Sequence, residues 1–205
     1  MKVSEAIKKR RSIRKYLPKP IPDDLIYQLL ESARLAPSGV NVQPWCFIVV
    51  TDEQKRQRLQ EVAFNQKFIG QAPVVIACCG DRDRLNKSNE TRQELIKIGA
   101  LPEDVMDTLS STRKILKVPP NQKLIVALNT AIAIEHIVLQ AVELGLGTCW
   151  VRFFEEEKVK EILNIPDTLD VVALLPVGYP DESPNPRPRR KLEEIVFWNE
   201  YGGKK

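Results

Sequence analysis

The sequence predicts one domain in which helices alternate with a few strands, and three observations carry that prediction. The chain has 205 residues, enough for one domain with a proper core and an elaboration on it. Three short apolar runs, 46–50, 73–79 and 171–177, are rich in β-branched residues and bounded by turn formers, as buried strands are. Between them, apolar residues recur every three to four positions, which is the period of a helix.

Taken in order, a first helix opens the chain, with Ser4 as its expected N-cap and Val3, Ala6 and Ile7 on one face. Ile13 and Tyr16 indicate extended backbone, ended by Pro18 and Pro20. Pro22-Asp23-Asp24 starts a second helix whose acidic first turn suits the helix dipole; Leu25, Ile26, Leu29, Leu30 and Ala33 follow at helical spacing, and Pro37 stops it. Residues 37–45 form a loop dense in hydrogen-bonding side chains. The strand at 46–50 is expected to be buried on both faces, and Thr51-Asp52 caps a third helix reaching about Phe64.

The second strand, 73–79, closes at Gly80-Asp81. Residues 84–122 are polar and charged, an elaboration of one to three helices. The helix at 123–144 is apolar on nearly every side, so it belongs at the centre or in a subunit interface. Asn129, Glu135, His136, Gln140 and Glu143 make it a poor membrane span, and Gly145 caps its end. A short strand at 146–151, a helix over 155–163 stopped by Pro166, and the strand 171–177 complete the core. An arm over 180–205 carries Arg187, Arg189 and Arg190 among prolines and ends in an apolar stretch at 192–198.

Composition excludes several classes. Thirty-one basic against 27 acidic residues is a mixed surface, not a stripe for nucleic acid. There is no signal-peptide pattern, and four cysteines are too few for a disulfide framework, so a cytoplasmic protein with reduced thiols is expected. The one histidine, His136, lies in the most apolar helix and reads as a satisfied core or interface residue, not a catalytic base. Paired CxxC spacing, a P-loop and a dinucleotide fingerprint are all missing, so no metal site is expected. Few acids, bases or ligands remain, which favours a binding protein or an enzyme whose chemistry belongs to an organic cofactor.

Three segments fit one ligand. In Arg10-Arg11-Ser12-Ile13-Arg14, alternation along extended chain puts Arg10, Ser12 and Arg14 on one face and Arg11 and Ile13 on the other. Two guanidiniums flanking a hydroxyl would grip a phosphate. Ser38, Asn41 and Gln43 offer the amide and hydroxyl groups that a heteroaromatic edge needs. At Gly147 to Arg152 the backbone can come close to a planar group, with Trp150 as a flat wall, and Arg187 and Arg189 add positive charge. Singly, these features also read as ordinary structure: a solvated basic patch, a helix terminator at Gly147, a core tryptophan, solvated tail arginines.

Together, the motifs RRSIR (10–14), APSGVNVQPWCFIVV (36–50), LGLGTCW (144–150) and PRPRRKLEEIV (186–196), in this order and spacing, resemble the nitroreductase family of FMN-dependent oxidoreductases from end to end. The resemblance implies an α+β fold over 1–205, a mixed, mainly antiparallel sheet flanked by helices. It further implies a domain-swapped homodimer with FMN, bound tightly but non-covalently, at the subunit interface.

It implies that Arg10, Arg11, Ser12 and Arg14 bind FMN, that Pro37, Ser38, Asn41 and Gln43 approach from the partner subunit, and that Asn65 contacts the ring. Trp150, Val151 and Arg152 would lie beside the isoalloxazine and donate to N5, and Arg187 and Arg189 would complete the phosphate site. Some members carry a glutamate where Arg152 stands, which bears on redox tuning. No side chain need be catalytic, because the flavin carries the chemistry. NAD(P)H would reduce it and an electron-poor small molecule, a nitroaromatic, quinone or related compound, would reoxidise it by a ping-pong course. A specialised flavin enzyme (reductive dehalogenation, enone reduction or flavin conversion) and a non-catalytic flavin-binding protein are the alternatives. Neither nucleic acid nor membrane is an expected partner.

Overall fold

The run VVIACCGD forms the central strand β2 (Val74–Asp81), flanked antiparallel by β1 (Trp45–Val50) and β4 (Leu169–Gly178). A two-residue strand β3 (Gly147–Thr148) completes the order β1-β2-β4-β3. The computed structural model describes residues 1–102, 104 and 121–205. All named strand pairs are antiparallel, and an isolated parallel bridge joins Ser12 to Thr148.

Strand alternation divides the core in two. Val74, Ile76 and Cys78 face one side, against Leu29 and Ala33 of the second helix (Asp23–Arg34) and Ile134, Ile137 and Ala141 of the long helix (Gln122–Glu143). Val75, Ala77 and Cys79 face the other, against Leu59 of Glu53–Val62, Ile69 of Lys67–Gln71 and Val159 of Glu156–Leu163. The sheet therefore carries helices on both faces, which is why β2 and β4 are buried along almost their whole length.

Several sequence expectations are corrected. Ser4 lies inside the first helix (Val3–Lys9); Lys2 holds the cap position, and the Glu5 carboxylate accepts its backbone N–H at 3.2 Å. Of that helix's apolar face only Ala6 is buried, while Val3 and Ile7 are exposed. Residues 46–50 are not buried on both faces: β1 is an edge strand, Cys46 is exposed and only Val50 is buried. The strand expected at 146–151 pairs continuously only at Gly147 and Thr148, with Val151 as an isolated bridge to Leu174. Of the elaboration at 84–122, helices Asp83–Asn86 and Ser88–Lys97 and the first residue of the long helix, Gln122, are described; residues 103 and 105–120 lie outside the described residues.

The long helix is long and apolar enough to cross a membrane by length and composition. Its Ala133, Ile134, Ile137, Val138 and Ala141 are instead packed into the core. Asn121 caps its start, accepting the Leu124 N–H at 3.1 Å, and Gly145, at φ 72°, turns the chain out of it. His136 is half-buried, its Nδ1 3.1 Å from the Ser32 carbonyl, which ties the long helix to the second one.

Candidate functional site

The extended segment after the first helix is held by the core, not by its charges. Ile13 is buried against Tyr16 and Ala72, its N–H donates to the Thr148 carbonyl at 2.9 Å, and the Tyr16 hydroxyl donates to the Ile13 carbonyl at 2.7 Å. The start of the tail runs antiparallel beside it: Leu17 N–H donates to the Tyr179 carbonyl (2.9 Å) and Asp181 N–H to the Lys15 carbonyl (3.0 Å). This pairing carries residues 184–189 back over residues 10–12.

The result is a groove of about 360 Å³ walled by Arg10, Arg11 and Ser12 on one side and Arg187 and Arg189 on the other. Four guanidiniums and a hydroxyl make it suited to a phosphate-like anion. Ile13 faces the core as alternation requires, but Arg11 does not turn away from the groove. Its Nη1 donates to the carbonyls of Lys8 (2.8 Å) and Arg10 (2.7 Å), which folds the side chain back beside its neighbours. Arg14 is exposed outside that wall, its guanidinium 5.8 Å from the centre of the Phe68 ring and its N–H donated to Glu182. Burial pushes the Cys149 thiol up; Arg14 opposes the rise, Glu182 adds to it, and Arg10 and Arg187 oppose it.

Beside the groove the chain leaves the sheet edge. The N–H groups of Cys149 and Val151 donate inward, to Pro176 (3.3 Å) and Leu174 (2.9 Å). By alternation those of Trp150 and Arg152 point outward, and they have no backbone partner among the described residues. The expected donor at Val151 is therefore spent within the sheet, and the donors available to a ligand are its two neighbours. The Arg152 guanidinium donates to the Val172 carbonyl. Burial raises the Glu135 carboxyl pKa, against the opposing charge of Arg10 and the pull of the Trp150 indole. Gly147 lies close against the Ile13 side chain.

The polar loop stands apart from this groove. Its Gly39–Asn41 turn has left-handed residues at Val40 and Asn41, with Gln43 a third; the Ser38 Oγ accepts the Gln43 N–H at 2.9 Å. Pro37 and Asn41 are exposed, Ser38 and Gln43 half-buried, and none of residues 37–45 lines the arginine groove. Asn65, also left-handed at φ 56°, is exposed and follows Phe64, whose ring stacks on Phe153 with centroids 3.9 Å apart.

Sequence reasoning missed Glu182, the Phe64–Phe153 stack and Asn129, which accepts the Gly39 N–H. Only the last had a signal, an amide within the most apolar stretch of its helix, 124–134. Acid–base and nucleophilic candidates stay poor: burial raises all four thiols, Cys79 to about 12. Among the described residues, no three His, Cys, Asp or Glu side chains are arranged to hold a metal.

The profile of the Nitroreductase family matches residues 7–179. A NADH dehydrogenase of Thermus thermophilus is 32% identical over 192 residues, covering 93% of this chain and 92% of that protein. The crystal structure of a candidate nitroreductase in complex with FMN from Exiguobacterium sibiricum superposes with a TM-score of 0.81 at 27% identity, covering 97% of this chain and 98% of that one. The NADPH:FMN oxidoreductase of Vibrio harveyi, solved with NAD+, gives a TM-score of 0.77 at 25% identity over 97% of this chain and 77% of its own.

Proposed function

Because the chain belongs to the nitroreductase family, we propose that it is an FMN-dependent NAD(P)H oxidoreductase whose 205 residues form one domain. The observation that carries this reading is the single groove in which Arg10, Arg11 and Ser12 meet Arg187 and Arg189. These side chains fit the phosphate end of FMN, since guanidinium pairs bind phosphate oxygens bidentately and stay charged. Arg14, on the Phe68 side, supplies a cation toward the N1/O2 edge of the ring, and the outward N–H groups of Trp150 and Arg152 supply donors for N5. Asn65, next to the Phe64 ring that stacks on Phe153, adds an amide. When bound, FMN supplies the redox chemistry, taking two electrons from NAD(P)H and giving them, in a separate half-reaction, to a nitroaromatic, a quinone or a related acceptor. The chain's own work is to bind, orient and charge-balance the ring, and no side chain acts as a general base.

The working unit in this reading is a homodimer. Leu124, Leu128 and Ile132 form an exposed apolar row along the long helix, and Leu192, Ile195, Phe197 and Trp198 are exposed on the arm. A second copy would cover both, and would bring its Pro37, Ser38, Asn41 and Gln43 to a groove that lacks them in one chain. The same reading places the enzyme in the cytoplasm, in line with four cysteines that are all free.

The test is a visible spectrum of the purified protein, with mass spectrometry of what acid releases. Bound FMN whose absorbance bleaches on addition of NADH or NADPH is expected. A colourless protein that also refuses added FMN refutes the reading.

A further inference from the structure

The loop 38–43 has a backbone that needs outside help. Val40, Asn41 and Gln43 sit at φ 45°, 55° and 46°, a region that residues with side chains occupy only where the surroundings over-determine it, and that suits β-branched valine least. Inside the loop, Ser38 accepts from Asn41 N–H through its carbonyl (3.0 Å) and from Gln43 N–H through its Oγ (2.9 Å). Among the described residues, two side chains from outside hydrogen-bond to its backbone. Arg84 Nε reaches the Val42 carbonyl at 3.3 Å, and Asn129 Oδ1 accepts the Gly39 N–H at 2.9 Å. The Asn129 contact is the shorter, and its side chain is itself oriented. Its Nδ2 donates to the Ile125 carbonyl at 2.8 Å, one turn back on the long helix, so the acceptor end must face Gly39.

We propose that Asn129 is a positioning residue for the cofactor site: it fixes the loop 38–43 to the rigid long helix so that Ser38, Asn41 and Gln43 are presented in one arrangement. It acts through the Gly39 backbone and touches no cofactor atom. The proposal rests on the reading of that loop as a wall of the FMN site. It also accounts for an amide on an apolar helix, where neither the core nor the arginine groove uses it.

Asn129→Ala and Asn129→Asp test it in the full-length protein. Alanine is the better helix former, so the first change leaves the long helix at least as stable. It should speed backbone amide exchange at 39–43 about tenfold in FMN-free protein, leaving other segments unchanged, and weaken FMN binding about tenfold, the scale of one hydrogen bond. Asn129→Asp keeps an acceptor for Gly39 and should return both readouts to within about threefold of wild type. A merely structural residue would lower the unfolding midpoint without touching loop exchange or FMN affinity; that result, or wild-type values of both in Asn129→Ala, overturns the proposal. Wild-type protein that takes up no FMN overturns the functional reading instead. The exchange comparison then still decides whether Asn129 holds the loop.

Discussion

Replacing Gly147 with alanine tests how the groove is built. A Cβ there would lie 2.6 Å from Ile13 Cγ1, 2.8 Å from its Cβ and 3.0 Å from Cγ2. Ile13 is β-branched, stiff at χ1 and walled in by Tyr16 and Ala72, so it cannot rotate aside. The segment 10–16 must move instead, against the Ile13–Thr148 hydrogen bond of 2.9 Å and the Tyr16–Ile13 bond of 2.7 Å. Overpacking of this kind costs about 1–3 kcal/mol, and three contacts at or below 3.0 Å put this case in the upper half. For a chain of this length, about 2–4 °C per kcal/mol gives a Tm lower by roughly 4–12 °C. The same movement carries Arg10 and Ser12 away from Arg187, so FMN affinity should fall about tenfold, or 1.4 kcal/mol. Urea unfolding and an FMN titration read the two effects. The double variant Gly147→Ala/Ile13→Ala should be less damaged than the sum of the singles by at least about 1 kcal/mol, because one removes the other's clash. If Gly147→Ala unfolds within about 0.5 kcal/mol of wild type and binds FMN equally well, the close approach is not what requires glycine.

Two further perturbations probe charge. Arg10→Ala with Arg187→Ala should weaken FMN at least about a hundredfold while barely changing riboflavin, which lacks the phosphate; equal losses for both ligands would move the phosphate out of this groove. Burial, reinforced by Cys46, raises the Cys79 thiol to about 12, and burial also raises Tyr16. The folded state therefore keeps protons that the unfolded state gives up, so the stability these groups lend is complete below about pH 9 and is lost as pH rises toward 12. Urea midpoints should be flat up to about pH 8.5 and then fall, by about 1.4 kcal/mol per pH unit for each such group. Exposed Cys46 should be the first thiol labelled, with Cys78, Cys79 and Cys149 following only on unfolding. A stability profile still flat at pH 11 would contradict this burial.

How much of this was legible in the sequence depended on whether a feature is local. The β-branched runs became β1, β2 and β4, and the apolar helix became Gln122–Glu143, because burial on one or both sides is written into residue pattern. What a strand packs against is not. The run at 46–50 is apolar enough for a central strand yet lies at the sheet edge, where only Val50 is buried. Among site residues, alternation placed Ile13 in the core, but it misplaced Arg11, whose long side chain folds back onto the carbonyls of Lys8 and Arg10. Asn129 and Glu182 act across 90 and 168 residues of sequence, a separation no local pattern reports.

The position of the outward donors at Trp150 and Arg152 follows from one compromise at the sheet edge. An unpaired edge invites association with other chains, and proteins usually cover or shorten it. Here residues 12–17 cover the edge beside Gly147 and Thr148, and glycine at 147 is what lets Ile13 lie close enough to do so. Beyond Thr148 that cover stops: Ile13 gives its carbonyl to the Tyr16 hydroxyl, and the segment turns to pair with Tyr179 and Pro180. Two backbone donors are thereby left open on the segment that follows the pairing of Ser12, a wall residue of the arginine groove, with Thr148. A planar, anionic ligand with acceptors along one edge would satisfy both features at once. Gly147, three residues from the nearer donor, thus acts on the edge by letting the covering segment lie where it does.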